Sequence, residues 1–533
     1  MAVSLIHAAI LTVFTPLFAG FLAPAIGTFI SRKWVNVFAC MSSAATLLFA
    51  VLTMVYASSG NGILLYRMGG FPPPVGIVLE VDKLNSLIAV ASAAIILLAT
   101  IYSTEYMSRE GNLSLYYALL LTLESGMMGA LYTGDLFNLF VFLELMSVPS
   151  YALVAFLRRS FEAVEAGLKY MFMSALALNF YYFATAFIYG AFGTLNMADL
   201  SVKISLHGQS PEPLSGGIRN IPSSITLVLP AIMALTLWSF GLKSALAPLH
   251  TWLPDAHPAA PTPISAVLSG AFVKVTVYTS IRLLFTVFHG GVNVIEEVLN
   301  AVHSSIQVVT ALSMLSMLLG SLAMLLQNDI KRFLAYSTIA NIGYAFLGVS
   351  LASESGLTAS TLHVINHMIT KALLFLTVGC IIHKTHIRDI RELGGLYARM
   401  PITATCYIIG ALSIAGVPPL NVFVSKLLLV IAALEKLTPT AIVGAILLVV
   451  TSAIVLAAQF RVIHAVFFGK LPSSLKQVSE PGLPMLAPIT ILTASTVVLG
   501  VYPYPLIELA SNGAKAALDY VNYVASAQLL MKP

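Results

Sequence analysis

The sequence predicts an all-α, polytopic membrane protein of about fourteen transmembrane helices with no soluble domain. Three observations lead there: the composition, the lengths of the apolar runs, and a few charges placed inside those runs. Of 533 residues, 58% are hydrophobic and 9% are charged, against about a quarter charged in a typical soluble domain. A chain so poor in charge cannot coat a water-facing surface, so lipid must solvate it. The formal net charge of +5 comes from Lys and Arg scattered through loops rather than a basic patch, which gives nucleic-acid binding little support. Cys40, Cys380 and Cys406 sit in or beside apolar stretches and form no CxxC pattern. They read as packing residues, and neither a metal site nor a cofactor is expected in this chain.

A helix needs about 20 mostly apolar residues to cross the hydrocarbon core. Runs of that kind predict helices near 3–28, 35–57, 83–105, 113–132, 135–157, 166–192 and 224–248. Seven more are predicted near 262–287, 304–326, 331–350, 357–382, 401–434, 440–468 and 486–510. The first run opens with MAVSLIHAAI, and its basic residues, Arg32 and Lys33, follow it. A secretory signal would carry its positive charge first, so a retained span is expected. The stretch 201–222 is polar and rich in Pro and Gly, and reads as a surface loop. Lys and Arg concentrate in alternate loops, among them Arg32, Lys33, Arg109, Lys331, Arg332, Arg388 and Lys470. The positive-inside rule makes those loops cytoplasmic and places both termini outside a prokaryotic plasma membrane.

The segments 132–156 and 326–350 align when Asp135 is set against Asp329, each an Asp before an apolar, aromatic-rich helix. The same offset brings the helix of Lys169 onto that of His363. Further on, APLHTWLPD (247–255) resembles VPPLNVFVS (417–425). An internal repeat of this kind is the arrangement of many transporters, with sites near the midplane at the repeat interface. Pro248 and Pro254 interrupt one apolar helix, and Gly416, Pro418 and Pro419 interrupt another. Proline removes a backbone hydrogen bond and clashes with the preceding turn. Carbonyls freed at membrane depth persist only where protein or water satisfies them. A kinked packing helix is the plain alternative, but two breaks at corresponding positions, each near a lysine, favour a functional role.

Glu144, Lys243, Lys274, Lys371 and Lys426 fall well inside predicted spans, with Glu124 a further candidate. A charge at the bilayer centre costs about 2.5–3.5 kcal/mol on insertion scales. Near helix ends the ordinary explanation is snorkelling, and it is applied to Lys83, Lys203 and Lys436. Burial lowers the proton affinity of an amine and raises that of a carboxylate, so buried groups of both kinds can exchange protons near neutral pH. A Glu–Lys pair that opens and closes would switch proton affinity, and Glu144 with Lys243 is the natural candidate. His363, His367 and Lys371 recur at i, i+4 and i+8, so they line one side of a helix. Lys243 and His250 lie two turns apart, roughly on one face. A lone histidine is more often a satisfied core residue, but three titratable groups on one apolar helix point to a proton relay.

These motifs resemble the antiporter-like family shared by Mrp-type multisubunit cation/proton antiporters, respiratory complex I and membrane-bound hydrogenases. The stretches that carry the resemblance are FVFLELMSVPSYALVAF, LKSALAPLHTWLPDAHPAAPTPISAVLSGAFVKV, QNDIKRFLAYSTIANIGY and SIAGVPPLNVFVSKLLL. The resemblance implies fourteen helices with two inverted five-helix repeats, each holding one broken helix. The implied divisions are helices 1–3 over 1–110, a first repeat over 111–290, a second over 300–470, and a final helix with tail over 480–533. It also implies roles: Glu144 paired with Lys243 on the broken seventh helix, Lys274 as a connecting lysine, and Lys426 as the terminal lysine on the broken twelfth. Within the family, residues 69–85 and a lysine at 426 look most like the Mrp D-type subunit.

The implied function is proton translocation along a buried Glu/Lys/His axis, as one subunit of a cation (Na+)/proton antiporter. Its implied partners are other membrane subunits, protons, Na+ and the lipid bilayer. The alternatives are the ion-pumping arm of a redox-driven complex and a self-sufficient secondary transporter. A catalytic quinone or hydrogenase core is disfavoured, because no cluster of metal ligands, nucleotide loop or haem pair occurs in the sequence.

Overall fold

The computed structural model describes residues 2–59, 63–71, 76–108, 110–157, 161–204, 225–288 and 296–529. The first six helices are α1 (Ala2–Phe29), α2 (Arg32–Ser59), α3 (Lys83–Tyr106), α4 (Leu113–Tyr132), α5 (Leu136–Val154) and α6 (Phe161–Phe192). A short helix α7 (Met197–Ile204) precedes a broken crossing made of α8 (Ile225–Lys243) and α9 (Leu253–Ala259). Then come α10 (Thr262–Phe288), α11 (Glu296–Leu325), α12 (Ile330–Ser350) and α13 (Glu354–Thr385). A second broken crossing joins α14 (Pro401–Ala415) to α15 (Asn421–Lys436), followed by α16 (Pro439–Phe468) and α17 (Leu483–Val501). Among the described residues, 11 helices are long and apolar enough to span a membrane unaided. With α4 and the two broken crossings they make the fourteen predicted spans. The chain is a multi-pass α-helical membrane protein.

Several expectations change in detail. The predicted helix 224–248 stops at Lys243, and 401–434 is two helices, because the chain leaves helical geometry at Ala245 (φ 59°) and Gly416 (φ 90°). The span predicted over 486–510 ends at Val501, and a separate helix α18 (Tyr504–Leu518) runs on to α19 (Tyr520–Leu529). Of the loop expected over 201–222, residues 201–204 belong to α7 and the rest lies outside the described residues. A two-stranded antiparallel hairpin, β1 (Leu64–Arg67) and β2 (Val78–Val81), was not anticipated. Its strands have four residues each, too few for a periodic signal.

Burial sorts the helices. The apolar window of α10 is 100% buried, and those of α12 and α13 are 94% and 89% buried. For α2 and α17 the figures are 33% and 28%, so lipid covers the outer helices while α10, α12 and α13 form the centre. Hydrophobic all round, a helix of the second kind belongs inside a large bundle, and these three carry Lys274, Lys331, His363, His367 and Lys371.

Asp135 caps α5 by accepting from Asn138 N (2.8 Å), and Asp329 caps α12 by accepting from Lys331 N (2.8 Å). Beside the first cap, Leu136 N donates to Leu195 O and Met197 N to Gly134 O. Beside the second, Ile330 N donates to Arg388 O and Ile390 N to Asn328 O. The two clasps use the same bonds, but α5 and α12 are the fifth and tenth crossings and so begin at opposite faces. Helix contacts repeat with the same interval. A Cβ on Gly126 of α4 would press on the Met146 backbone of α5, and one on Gly320 of α11 on the Ala340 backbone of α12. Gly320 and Ala340 follow Gly126 and Met146 at the interval that separates Asp329 from Asp135.

Side chains of the first break and of neighbouring helices bond the backbone freed at the interruptions. Trp252 Nε1 donates to Leu242 O (2.8 Å), and Ser316 Oγ accepts from Ala247 N (2.8 Å). In the second break Asn366 Nδ2 donates to Asn421 O (2.8 Å). Pro248, Pro418 and Pro419 lie in the non-helical segments, with cis peptide bonds at Ala247–Pro248 and Pro418–Pro419. Pro254 does not interrupt a helix: it occupies the first turn of α9, where a missing N–H leaves no bond unmade.

Candidate functional site

The two broken crossings place a lysine at each interruption. Lys243 is the last residue of α8 and is 1% exposed. Its ammonium donates to Ser147 of α5 and to Ser174 of α6 (2.6 Å). Lys426, on α15, donates to Ile414 O (3.0 Å) and Ala415 O (3.2 Å) at the end of α14. The Lys426 ammonium therefore meets the C-terminal end of a half-helix, where the carbonyl dipoles favour a cation. Lys426 also lies over the ring of Tyr344, 4.8 Å from its centroid.

Between them runs the predicted histidine helix. His363 and His367 stack with centroids 5.8 Å apart and planes 6° from parallel. His363 Nδ1 is hydrogen-bonded to Ser425 Oγ (3.1 Å), one residue before Lys426. The Nε2 atoms of both rings are buried without a protein partner. One turn on, Lys371 donates to Leu334 O of α12 (2.6 Å). Lys274, fully buried on α10, donates to Ser269 O in a widened π-helical turn. Such turns expose carbonyls that a regular helix would bond, and they recur at functional sites. Lys274 lies within electrostatic reach of Lys371, and His367 within reach of Lys274, Lys371 and Lys426. Lys274, Lys371, His367, His363 and Lys426 thus lie along one buried line, joined by the histidine stack and by electrostatic reach rather than by hydrogen bonds to one another.

Three expectations are corrected here. Glu144 and Lys243 make no ion pair: Glu144 is half-buried, and Lys243 turns instead to the two serines. Lys243 and His250 do not share a helix face, because the segment between them is the break itself. His250 is half-buried in that break, with Tyr336 as its aromatic neighbour at 6.3 Å. Lys203 does not snorkel; it pairs with Asp199 (3.7 Å) and donates to Phe192 O (2.9 Å). Glu124 is fully buried on α4 and accepts from Ser43 of α2 (2.9 Å), so its described hydrogen bond is to α2 rather than to this line.

The structure adds two residues that sequence reasoning missed. Lys331, read as a loop charge, is 2% exposed and donates to Ala260 O just past α9. His257, on α9, is fully buried against Phe375 at 4.7 Å, and neither ring nitrogen has a protein partner. It lies within electrostatic reach of Lys331, Lys371 and Lys274. Lys331 also lines a cavity of about 520 Å³ at the Lys/Arg-rich face, bordered by Glu165, Lys169, Asp255, Asp329 and Arg388. The signal for His257 was its place in PLHTWLPDAHP, the most specific stretch of the sequence. Among the described residues, no group of three or more His, Cys, Asp or Glu side chains is arranged to hold a metal ion.

Comparison with known proteins extends over nearly the whole chain. It is 32% identical over 531 residues to NADH-quinone oxidoreductase subunit N of Desulforudis audaxviator, covering 96% of this chain and 99% of that one. It is 30% identical over 466 residues to the D-type subunit of the Na(+)/H(+) antiporter of Alkalihalophilus pseudofirmus, covering 87% and 88%. Its fold matches a chain of the membrane-bound sulfane sulfur reductase, an archaeal respiratory membrane complex, with TM-score 0.86 and 29% identity over 97% and 99% of the two chains. It matches a chain of the Mrp complex from Dietzia sp. with TM-score 0.83 and 26% identity over 98% and 99%. Residues 133–455, which hold both broken crossings and the lysine–histidine line, match the NADH:quinone oxidoreductase/Mrp antiporter transmembrane family, and the chain belongs to it.

Proposed function

We propose that this chain is the proton-translocating, antiporter-like subunit of a multisubunit cation/proton antiporter. The observation that carries the reading is the state of four buried lysines. Lys243, Lys274, Lys371 and Lys426 are each 5% exposed or less. Among the described residues their hydrogen-bond partners are hydroxyls and main-chain carbonyls, and none forms an ion pair with a carboxylate. Several buried amines with no carboxylate in contact cost stability, and such groups in one file can serve as stations for a moving proton. The cavity beside Lys331 supplies access from the basic face, with His257 linking it to Lys274 and Lys371. His367 and His363 then connect to Lys426. Residues 111–290 and 300–470 act as two inverted repeats around this line, as the equivalent clasps at Asp135 and Asp329 support. Glu144 governs the first lysine from one turn away rather than by contact. Na+ is the expected counter-cation, and a prokaryotic plasma membrane the expected location.

A second reading has its own support: subunit N of the quinone oxidoreductase and the sulfane sulfur reductase chain match this one over almost its full length. In that setting the same line would be the ion-pumping arm of a redox-driven complex. Moving one charge against 100 mV costs about 2.3 kcal/mol, so either complex must supply a gradient or redox energy.

The test is purification of the intact complex from native membranes, partner identification by mass spectrometry, and transport in proteoliposomes. Only antiporter-type membrane partners with cation-dependent proton movement would establish the first reading. Iron–sulfur or nickel–iron partners would establish the second. Unaltered transport in Lys243→Ala and Lys426→Ala complexes would overturn both.

A further inference from the structure

The line described above leaves unused a second polar column, which leads from Lys274 toward the opposite face. Lys274, Tyr278 and Arg282 recur at i, i+4 and i+8 on α10, so they share one side of the helix. Arg282 Nε donates to Tyr278 Oη (3.1 Å), and Asn85 Nδ2 to the same oxygen (3.4 Å). Arg282 also pairs with Asp82, which caps α3 directly after the hairpin. Its Nη1 is buried with no protein partner. Two residues before Asp82, Glu80 of β2 is 4% exposed and accepts from Tyr523 of α19 (2.8 Å). Beside this cluster lies a cavity of about 470 Å³, lined by Asp82, Lys83, Lys515, Asp519 and Tyr523.

We propose that Lys274, Tyr278 and Glu80 form a proton passage from the central lysines to the face opposite the basic loops, opening into the cavity beneath the C-terminal helices. The passage rests on the proton-translocating reading of Lys274. For transfer the Lys274 ammonium must turn from Ser269 O toward Tyr278, and Tyr278 Oη must release the long Asn85 bond to free a lone pair. The hydroxyl then receives one proton while handing its own onward through water, so no phenolate is left. Glu80 takes that proton as a carboxylic acid and returns to carboxylate on releasing it to the cavity. Burial pushes Glu80 up to about 7, against Arg282 and the Tyr523 hydrogen bond, which favour the ionised form; Asp82 and Asp135 reinforce the rise. Arg282 does not relay, since a guanidinium keeps its proton. It holds Tyr278 and Asp82 in place.

The test compares Glu80→Gln, Tyr278→Phe and Lys243→Ala in the purified complex reconstituted into liposomes. The expected result is a loss of proton transfer of about tenfold or more in Glu80→Gln and Tyr278→Phe, with assembly intact. Infrared difference spectra should also show a protonated carboxyl that titrates at about 7 and vanishes in Glu80→Gln. Wild-type transfer in Glu80→Gln and Tyr278→Phe, with Lys243→Ala inactive, would overturn the passage and leave the translocating reading standing. Wild-type transfer in all three would overturn both. If Glu80→Gln fails to assemble, Tyr278→Phe decides: full transfer without the phenol hydroxyl overturns the passage.

Discussion

Lys243 donates to Ser147 rather than to Glu144, which lies one turn earlier on the same helix. Hydroxyls of Ser147 and Ser174 solvate the ammonium directly, while Glu144 acts on it through space. Glu144→Gln and Lys243→Ala should each abolish coupled transport while the complex assembles. Ser147→Ala should slow it only in part, because Ser174 still accepts from the ammonium at 2.6 Å. Dye-reported proton gradients in everted vesicles measure all three. Retained transport in both charge variants would sink the proposed line.

Among the described residues His257 has no hydrogen-bond partner for either ring nitrogen, and it packs on Phe375. His257→Phe keeps a flat aromatic ring, larger than imidazole, and removes the titratable atoms. Transport should fall to background in this variant, while the complex assembles at a stability cost of about 1–3 kcal/mol from the larger ring. A variant that pumps normally would reduce His257 to a packing residue.

The caps at Asp135 and Asp329 make matched tests of the two repeats. Each carboxylate accepts from main-chain amides at the start of its helix. Replacing either with Ala should lower stability by about 1 kcal/mol, read as equal shifts in detergent unfolding. Strongly unequal shifts would show that the clasps are not equivalent in energy.

Gly126 and Gly320 let α4 meet α5 and α11 meet α12 at backbone contact. Ala at either position must push the helices apart, at a cost of about 1–3 kcal/mol. Reduced yield of assembled complex and earlier thermal unfolding are expected for Gly126→Ala and Gly320→Ala. Unchanged unfolding would mean that the bundle yields freely at these crossings.

Glu80 gives the outer hairpin a pH dependence whose sign is fixed. Its affinity for a proton is raised by burial from 4.5 to about 7, so the folded state holds more protons than the unfolded one between those values. Stability therefore falls as pH rises through that window and levels off above it. Glu80→Gln should lack this decline, which unfolding of wild type and variant from pH 4 to 9 would reveal. A parallel decline in both would assign it to another group.

What the sequence determined by itself was everything that lipid dictates locally. Run length set the fourteen crossings, because every backbone amide in hydrocarbon must be bonded within its own helix. The Gly and Pro clusters marked both breaks, and the i, i+4 spacing on α13 aligned His363, His367 and Lys371. Asp135 and Asp329 announced the repeat through an aligned pattern that the capping clasps share. Only the tertiary structure decided which groups meet. Whether Lys243 faces Glu144 or Ser147 depends on the rotation of α5 against α8, which no single helix encodes. Lys331 looked like a loop charge until the end of α9 closed over it, and His257 gained meaning only from its neighbours. The column from Tyr278 to Glu80 joins residues nearly two hundred positions apart along the chain, with Tyr523 arriving from its far end. A charge inside a span is visible in one dimension because lipid penalises it wherever it sits. Its partner is chosen by packing, and packing exists only in three.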